Sequence, residues 1–203
     1  MGILILEGIS KCGKTSWYER NLPKLQQKYG RVSYFHPLTT PIGSMVKDLY
    51  MSGQTSHQEL TGLFTGVHIA SLVEIESRHN TCDLLVLDRS LITTLAVNMP
   101  SLIRHMEKVG GQFHGEDFES ALYAFSHLYL QTLQYFTRSN VKLLWFNCEE
   151  PRDRYASMFH VNSNYRKEIE KATPIPGRDI YRIDASETIE MVDSSFASKE
   201  LLN

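Results

Sequence analysis

Residues 8–16 read Gly8-Ile9-Ser10-Lys11-Cys12-Gly13-Lys14-Thr15-Ser16, a full match to the phosphate-loop pattern G-x-x-x-x-G-K-[ST]. This pattern constrains the fold strongly, because it works only between a strand and a helix. Both flanks comply. Ile3-Leu4-Ile5-Leu6-Glu7 is a short apolar run fit for a buried parallel strand, and Trp17 to Gln27 can form a helix. Chemistry sets the spacing. Gly8 and Gly13 let the backbone curl until successive amide N–H groups face one anion. The helix N-terminus adds partial positive charge at the same point. Lys14 can then reach the β- and γ-phosphates of a nucleoside triphosphate, and the Thr15 hydroxyl can bind Mg²⁺. Gly8, Ser10, Lys11, Cys12, Gly13, Lys14, Thr15 and Ser16 form the candidate ATP-binding set.

The rest of the chain limits the partners. At 203 residues it fits one domain with a sizeable core, expected to span 1–203. Apolar content of 42% and charged content of 22% are ordinary for a globular protein. A formal charge of −2 leaves no basic excess for wrapping nucleic acid, so the expected ligands are small nucleotides. No apolar run approaches the ~20 residues that span a bilayer. Met1 to Leu6 lacks a basic start and a cleavage site, so it does not read as a secretion signal, and Leu6 breaks the myristoylation pattern. Cys12, Cys82 and Cys148 show no paired spacing, which points to free thiols and a cytoplasmic location. Cys12 sits near a helix N-terminus, where thiol pKa values fall, but it reads first as a small residue in a crowded loop.

Strand-like runs alternate with helical stretches, the pattern of an α/β fold with a parallel sheet. Five strands are expected: Ile3–Glu7, Arg31–Phe35, Asp83–Leu87, Val141–Phe146 and Asp179–Ile183. Helices are expected at about 14–28, 42–51, 57–79, 91–107, 117–138, 164–171 and 187–195. The expected architecture has three layers: a five-stranded parallel sheet flanked by helices, as in phosphate-loop NTPases, with a short lid. Ligands of open parallel sheets sit beyond the carboxyl ends of the strands. Glu7–Ser10, His36–Thr40, Asp88–Ser90 and Asn147–Glu149 would line that rim.

Asp88-Arg89-Ser90 follows the third strand directly. An acid there can hold Mg²⁺ through water or take a proton, and the adjacent guanidinium can grip a phosphate with two hydrogen bonds. An Asp-Arg pair alone is a weak signal. Beside an apolar strand and a phosphate loop it gains weight.

With these pieces in place, the chain resembles the thymidylate kinases. Glu7 to Thr15 looks like that family's opening, and Thr40-Pro41-Ile42-Gly43-Ser44-Met45-Val46-Lys47 lies where the family has a threonine/isoleucine/glycine pattern. Leu63-Phe64-Thr65-Gly66-Val67-His68 stands where a leucine-phenylalanine helix meets the base. Asp88-Arg89-Ser90 matches the Asp-Arg-aromatic motif, and Ile183-Asp184-Ala185-Ser186 the late strand and turn. The ordered set, at family-like spacings over most of the chain, is far more specific than the loop.

The resemblance implies transfer of the ATP γ-phosphoryl group to a deoxynucleoside monophosphate. It implies that Lys14 and the loop amides hold ATP, and that Thr15 and Asp88 hold Mg²⁺. Arg89 would grip the acceptor phosphate, and Phe64 would stack on the acceptor base. Ser10, His36, His68 and Thr93 would lie on the acceptor side, and Ala185 would border the adenine. Lys11 stands where some members have Arg and can stabilise the moving charge. A lid is expected at about 149–167, with Arg152 or Arg154 as its cation. A homodimer is implied as well.

Departures bear on the acceptor. Ser10 replaces an Asp that contacts the sugar, Leu38 stands where a phosphate-binding Arg is common, and His68 stands for a base-reading Arg. Ser90 replaces the aromatic, so that the triplet partly resembles the Glu-Arg-Ser of deoxynucleoside kinases. Three other readings stay open: a deoxynucleoside kinase, a kinase acting on a modified nucleotide or base, and a nucleotide-binding switch with little turnover.

Overall fold

A computed structural model describes residues 2–98, 120, 124, 127–132, 141–147, 164, 166–169, 178–185 and 189–195. Five strands form one sheet: β1 (Gly2–Gly8), β2 (Val32–Phe35), β3 (Leu84–Asp88), β4 (Val141–Asn147) and β5 (Arg178–Asp184). Their order is β2-β3-β1-β4-β5 and every pairing is parallel. The expected strands are thus found to within about a residue at each end. Parallel strands are covered on both faces, so they need continuous apolar runs. Ile-Leu-Ile-Leu in β1 and Leu-Leu-Val-Leu in β3 supply them, and all eight side chains are buried.

Alternate residues feed two cores. Leu4, Leu6, Val86, Leu144 and Phe146 pack with Trp17 and Leu25 of α1 (Lys14–Tyr29) and Val192 of the last described helix. Ile3, Ile5, Leu85, Leu87, Leu143 and Trp145 pack with Ile75, Leu91, Ile92, Tyr129 and Leu130 on the other face. This is the three-layer α/β architecture expected from the sequence.

Helix α2 (Pro41–Ser52) begins at Thr40, whose hydroxyl accepts a hydrogen bond from Gly43 N at 3.0 Å. Helix α3 (His57–His79) begins with a reciprocal box: Ser56 Oγ accepts from Glu59 N, and Glu59 accepts from Ser56 N. Of the helix expected at 91–107, residues 99–107 lie outside the described ones. The described part is α-helical over α4 (Leu91–Thr93) and widens into a π-turn at Thr94–Asn98. The run Ile92-Thr93-Thr94 is β-branched and lowers α-helical preference there. Residues 127–132 are helical, and α5 (Ile189–Ser194) closes the described chain. Among the described residues, no helix is long and apolar enough to cross a membrane.

Candidate active site

Parallel strands bring the ends of β1, β2 and β3 to one edge of the sheet, and a cleft of about 380 Å³ opens there. Ser10, Lys11, Gly13, Lys14, Thr15, Ser16, His36, Asp88 and Arg89 line it. The phosphate loop and the acid–guanidinium pair therefore share a wall.

The loop is tightly wound. Gly8 has φ 146°, and a β-carbon there would lie 2.7 Å from Phe146 O and 2.9 Å from Cys12 Sγ. Lys11 takes a left-handed φ of 65°, which turns its side chain out to solvent. Lys14 is 5% exposed and folds back on its own loop. Its Nζ donates to Gly8 O at 3.1 Å, to Ile9 O at 2.9 Å and to Cys12 Sγ at 3.6 Å. Burial lowers the Lys14 pKa, with the nearby Cys12, Asp88 and Glu7 opposing that shift.

Asp88 ends β3 and lies opposite Leu6 of β1. Its Oδ2 accepts hydrogen bonds from Thr15 Oγ1 at 3.3 Å and from the Tyr34 hydroxyl. Tyr34 comes from β2 and stacks on Tyr18 of α1 at 4.6 Å. Burial and the Asp88 carboxylate together push the Tyr34 hydroxyl well above its ordinary pKa, so it remains a donor. Asp88 Oδ1 is buried and has no hydrogen-bond partner among the described residues.

Arg89 also takes a left-handed φ, 79°. Its guanidinium donates to Gly8 O at 3.4 Å and to Ser10 Oγ at 3.1 Å. Glu7, fully buried at the end of β1, accepts from Ser90 N and Ser90 Oγ, both at 2.6 Å, and from Thr93 Oγ1 at 2.9 Å. Burial raises the Glu7 pKa, while Ser90, Arg89 and Thr93 pull it the other way.

The remaining expected residues fall in different places. His36 lines the cleft; its Nδ1 accepts from Leu38 N at 3.0 Å, which puts the proton of a neutral ring on Nε2. His68 does not line the cleft. It is buried in α3 against Tyr129, and burial drives its pKa down to about 3, so it is neutral. Phe64 is half-buried and meets Tyr50 edge-on at 6.0 Å, away from the cleft lining. Thr93 is turned toward Glu7. Ala185 N donates to Asn147 O at 2.6 Å, which joins the ends of β4 and β5. Arg152, Arg154 and nearly all of the expected lid lie outside the described residues. Tyr34 was not expected from the sequence, and Glu7 was expected on the rim but with no role of its own. Tyr34 gave no signal beyond its place in a strand. Glu7 did: it is a charge at the end of an otherwise apolar run.

No protein-family model and no curated protein sequence matches the chain. Solved structures do. The thymidylate kinase from Ehrlichia chaffeensis matches with a TM-score of 0.61 at 16% identity, over 98% of this chain and 95% of that one. The thymidylate kinase from Candida albicans matches with a TM-score of 0.58 at 13% identity, over 99% and 93%. From end to end, the chain has the fold of thymidylate kinases.

Proposed function

We propose that this protein is a nucleotide kinase that moves the γ-phosphoryl group of ATP to a deoxynucleoside monophosphate, with dTMP as the first candidate acceptor. The observation that carries this reading is the shared cleft. A transfer needs its two ends within reach of one another, and Lys14, Thr15, Asp88 and Arg89 face the same space. The likeness to solved thymidylate kinases supports the fold in which such a cleft works.

Each residue has a task. Loop amides and Lys14 hold the ATP phosphates; Lys14 Nζ exchanges the Gly8 and Ile9 carbonyls for phosphate oxygens. Lys11 projects toward solvent, from where it can reach the phosphoryl group in transit. Arg89 grips the acceptor phosphate, and Ser10, which it touches, lies beside the acceptor sugar. On the acceptor side His36 lines the cleft, while Phe64 and His68, which the resemblance assigns to the base, lie off that lining and would act only on an acceptor base that reaches past it. Ala185 borders the adenine. Arg152 or Arg154 supplies a lid cation.

The residues present fit Mg²⁺. A hydroxyl and one carboxylate, with a buried lone oxygen at Asp88 Oδ1, suit a hard cation that keeps waters and phosphate oxygens as its other ligands. Among the described residues there is no cluster of three His, Cys, Asp or Glu. When bound, Mg²⁺ neutralises charge on the β- and γ-oxygens. Thr15 and Asp88 would hold it.

A panel assay tests the proposal. The protein is mixed with ATP, Mg²⁺ and each nucleoside, each nucleoside monophosphate or a DNA oligomer, and ADP release is followed. Turnover with a deoxynucleoside monophosphate is expected. Turnover with nucleosides or DNA alone would reject this acceptor.

A further inference from the structure

Three successive residues of β1 all hold the segment after β3. Leu6 O accepts from Arg89 N at 3.0 Å, the Glu7 carboxylate accepts from Ser90 and Thr93, and Gly8 O accepts from the Arg89 guanidinium. Between them stands Arg89 at φ 79°, a conformation that a non-glycine residue rarely adopts. Such a backbone persists only where its surroundings fix it. The strongest fixing contact is at Ser90. Its N–H and its hydroxyl both reach Glu7 Oε1, and the same hydroxyl accepts from Ile92 N at 3.2 Å, which caps α4. A carboxylate completely removed from water is costly unless donors surround it, and this one has three.

From this geometry we infer that Glu7 is a positioning residue: acting through Ser90, its carboxylate locks the left-handed turn that aims Arg89 into the cleft beside the phosphate loop. The inference rests on reading Arg89 as the acceptor-phosphate grip. Because Glu7 directly precedes Gly8, the same side chain ties the acceptor-side guanidinium to the donor-side loop. This also explains Ser90: an aromatic there could not supply the hydroxyl that Glu7 and Ile92 share.

A double-mutant cycle tests it. Acceptor kcat and KM, the dissociation constant of a fluorescent ATP analogue and the thermal midpoint are measured for Glu7→Gln, Glu7→Ala, Arg89→Ala and Glu7→Ala/Arg89→Ala. Glutamine keeps an oxygen for Ser90 and an amide for the Thr93 hydroxyl, so Glu7→Gln is expected to stay within about threefold of wild type. Glu7→Ala is expected to lose acceptor kcat/KM as Arg89→Ala does, with nucleotide affinity within about twofold of wild type, and the double variant to be no worse than Arg89→Ala. Losses that multiply would overturn the inference. So would a Glu7→Gln more damaged than Arg89→Ala, the behaviour of a carboxylate that itself takes a proton. Should Glu7→Ala fail to fold, Ser90→Ala, which removes the hydroxyl through which Glu7 acts but leaves the carboxylate the Ser90 N–H and Thr93 hydroxyl donors, takes its place with the same outcomes.

A readout without turnover separates this inference from the functional reading. The Arg89 Nε–H resonance, assigned by its loss in Arg89→Ala, is expected to show a rigid heteronuclear NOE in wild type and Glu7→Gln and a mobile one in Glu7→Ala. A rigid Arg89 in Glu7→Ala refutes the positioning role whatever the acceptor is. A mobile Arg89 in Glu7→Ala with no monophosphate turnover in wild type refutes only the acceptor.

Discussion

His68 shows how burial decides the chemistry of a residue. An exposed imidazole titrates near 6.5, but burial in α3 holds this one at about 3. His36 and Arg89 add positive potential to the same effect. The sign of the stability effect follows. Above pH 6.5 the ring is neutral in both folded and unfolded chains and contributes no pH dependence. Below that, the unfolded chain takes up a proton that the folded chain refuses, so stability falls as pH drops from about 6.5 toward 3, by up to about 1.4 kcal/mol per pH unit. His68→Phe should remove this component. Urea unfolding at pH 7 and pH 5 checks it: the variant should lose less stability between the two than wild type does, and an equal loss would show that His68 is not the group.

At the scale of elements, α2 is fixed by a close approach. A β-carbon on Gly43 would lie 2.2 Å from Pro37 O and 2.6 Å from Leu38 Cα, so the helix start rests directly on the turn that follows His36. Gly43→Ala is expected to lower stability by about 1–3 kcal/mol, because the turn must move to admit the methyl group. That movement should also disturb His36 and raise the acceptor KM. Equal urea midpoints for the variant and wild type would contradict the packing. The strands and the long helices could be read from the sequence because apolar runs and periodicity are local properties. What escaped notice is non-local: Tyr34 reaches Asp88 across 54 positions, and Glu7 reaches Ser90 across 83. The π-turn after α4 escaped as well, since a β-branched run lowers α-helical preference without stating what replaces it.

At the scale of the molecule, strand order puts the loop and the Asp88-Arg89 pair side by side. β1 lies between β3 and β4, so the end of β3 delivers its residues next to Gly8. That juxtaposition was foreseeable once both motifs were placed at strand ends. Which base is bound was not, because Phe64 and His68 lie off the cleft lining. Among the described residues, Ile42, Met45 and Met51 on α2 and Ile69 and Val73 on α3 are exposed, Val73 at 75%. Exposed apolar side chains suit an interaction surface, and a homodimer through α2 and α3 is our proposal. Light scattering at micromolar concentration should give a dimer mass for wild type and a monomer mass for Val73→Asp; a monomeric wild type would contradict it.

We propose that one cleft passes a phosphoryl group between two bound nucleotides. Incubation with γ-³²P-labelled ATP, Mg²⁺ and dTMP measures it directly. Label should appear in dTDP, fall by about 10²-fold or more in Lys14→Ala, and fall in Arg89→Ala while nucleotide affinity holds. Label confined to inorganic phosphate, or label in dTDP that is indifferent to Arg89→Ala, would contradict it.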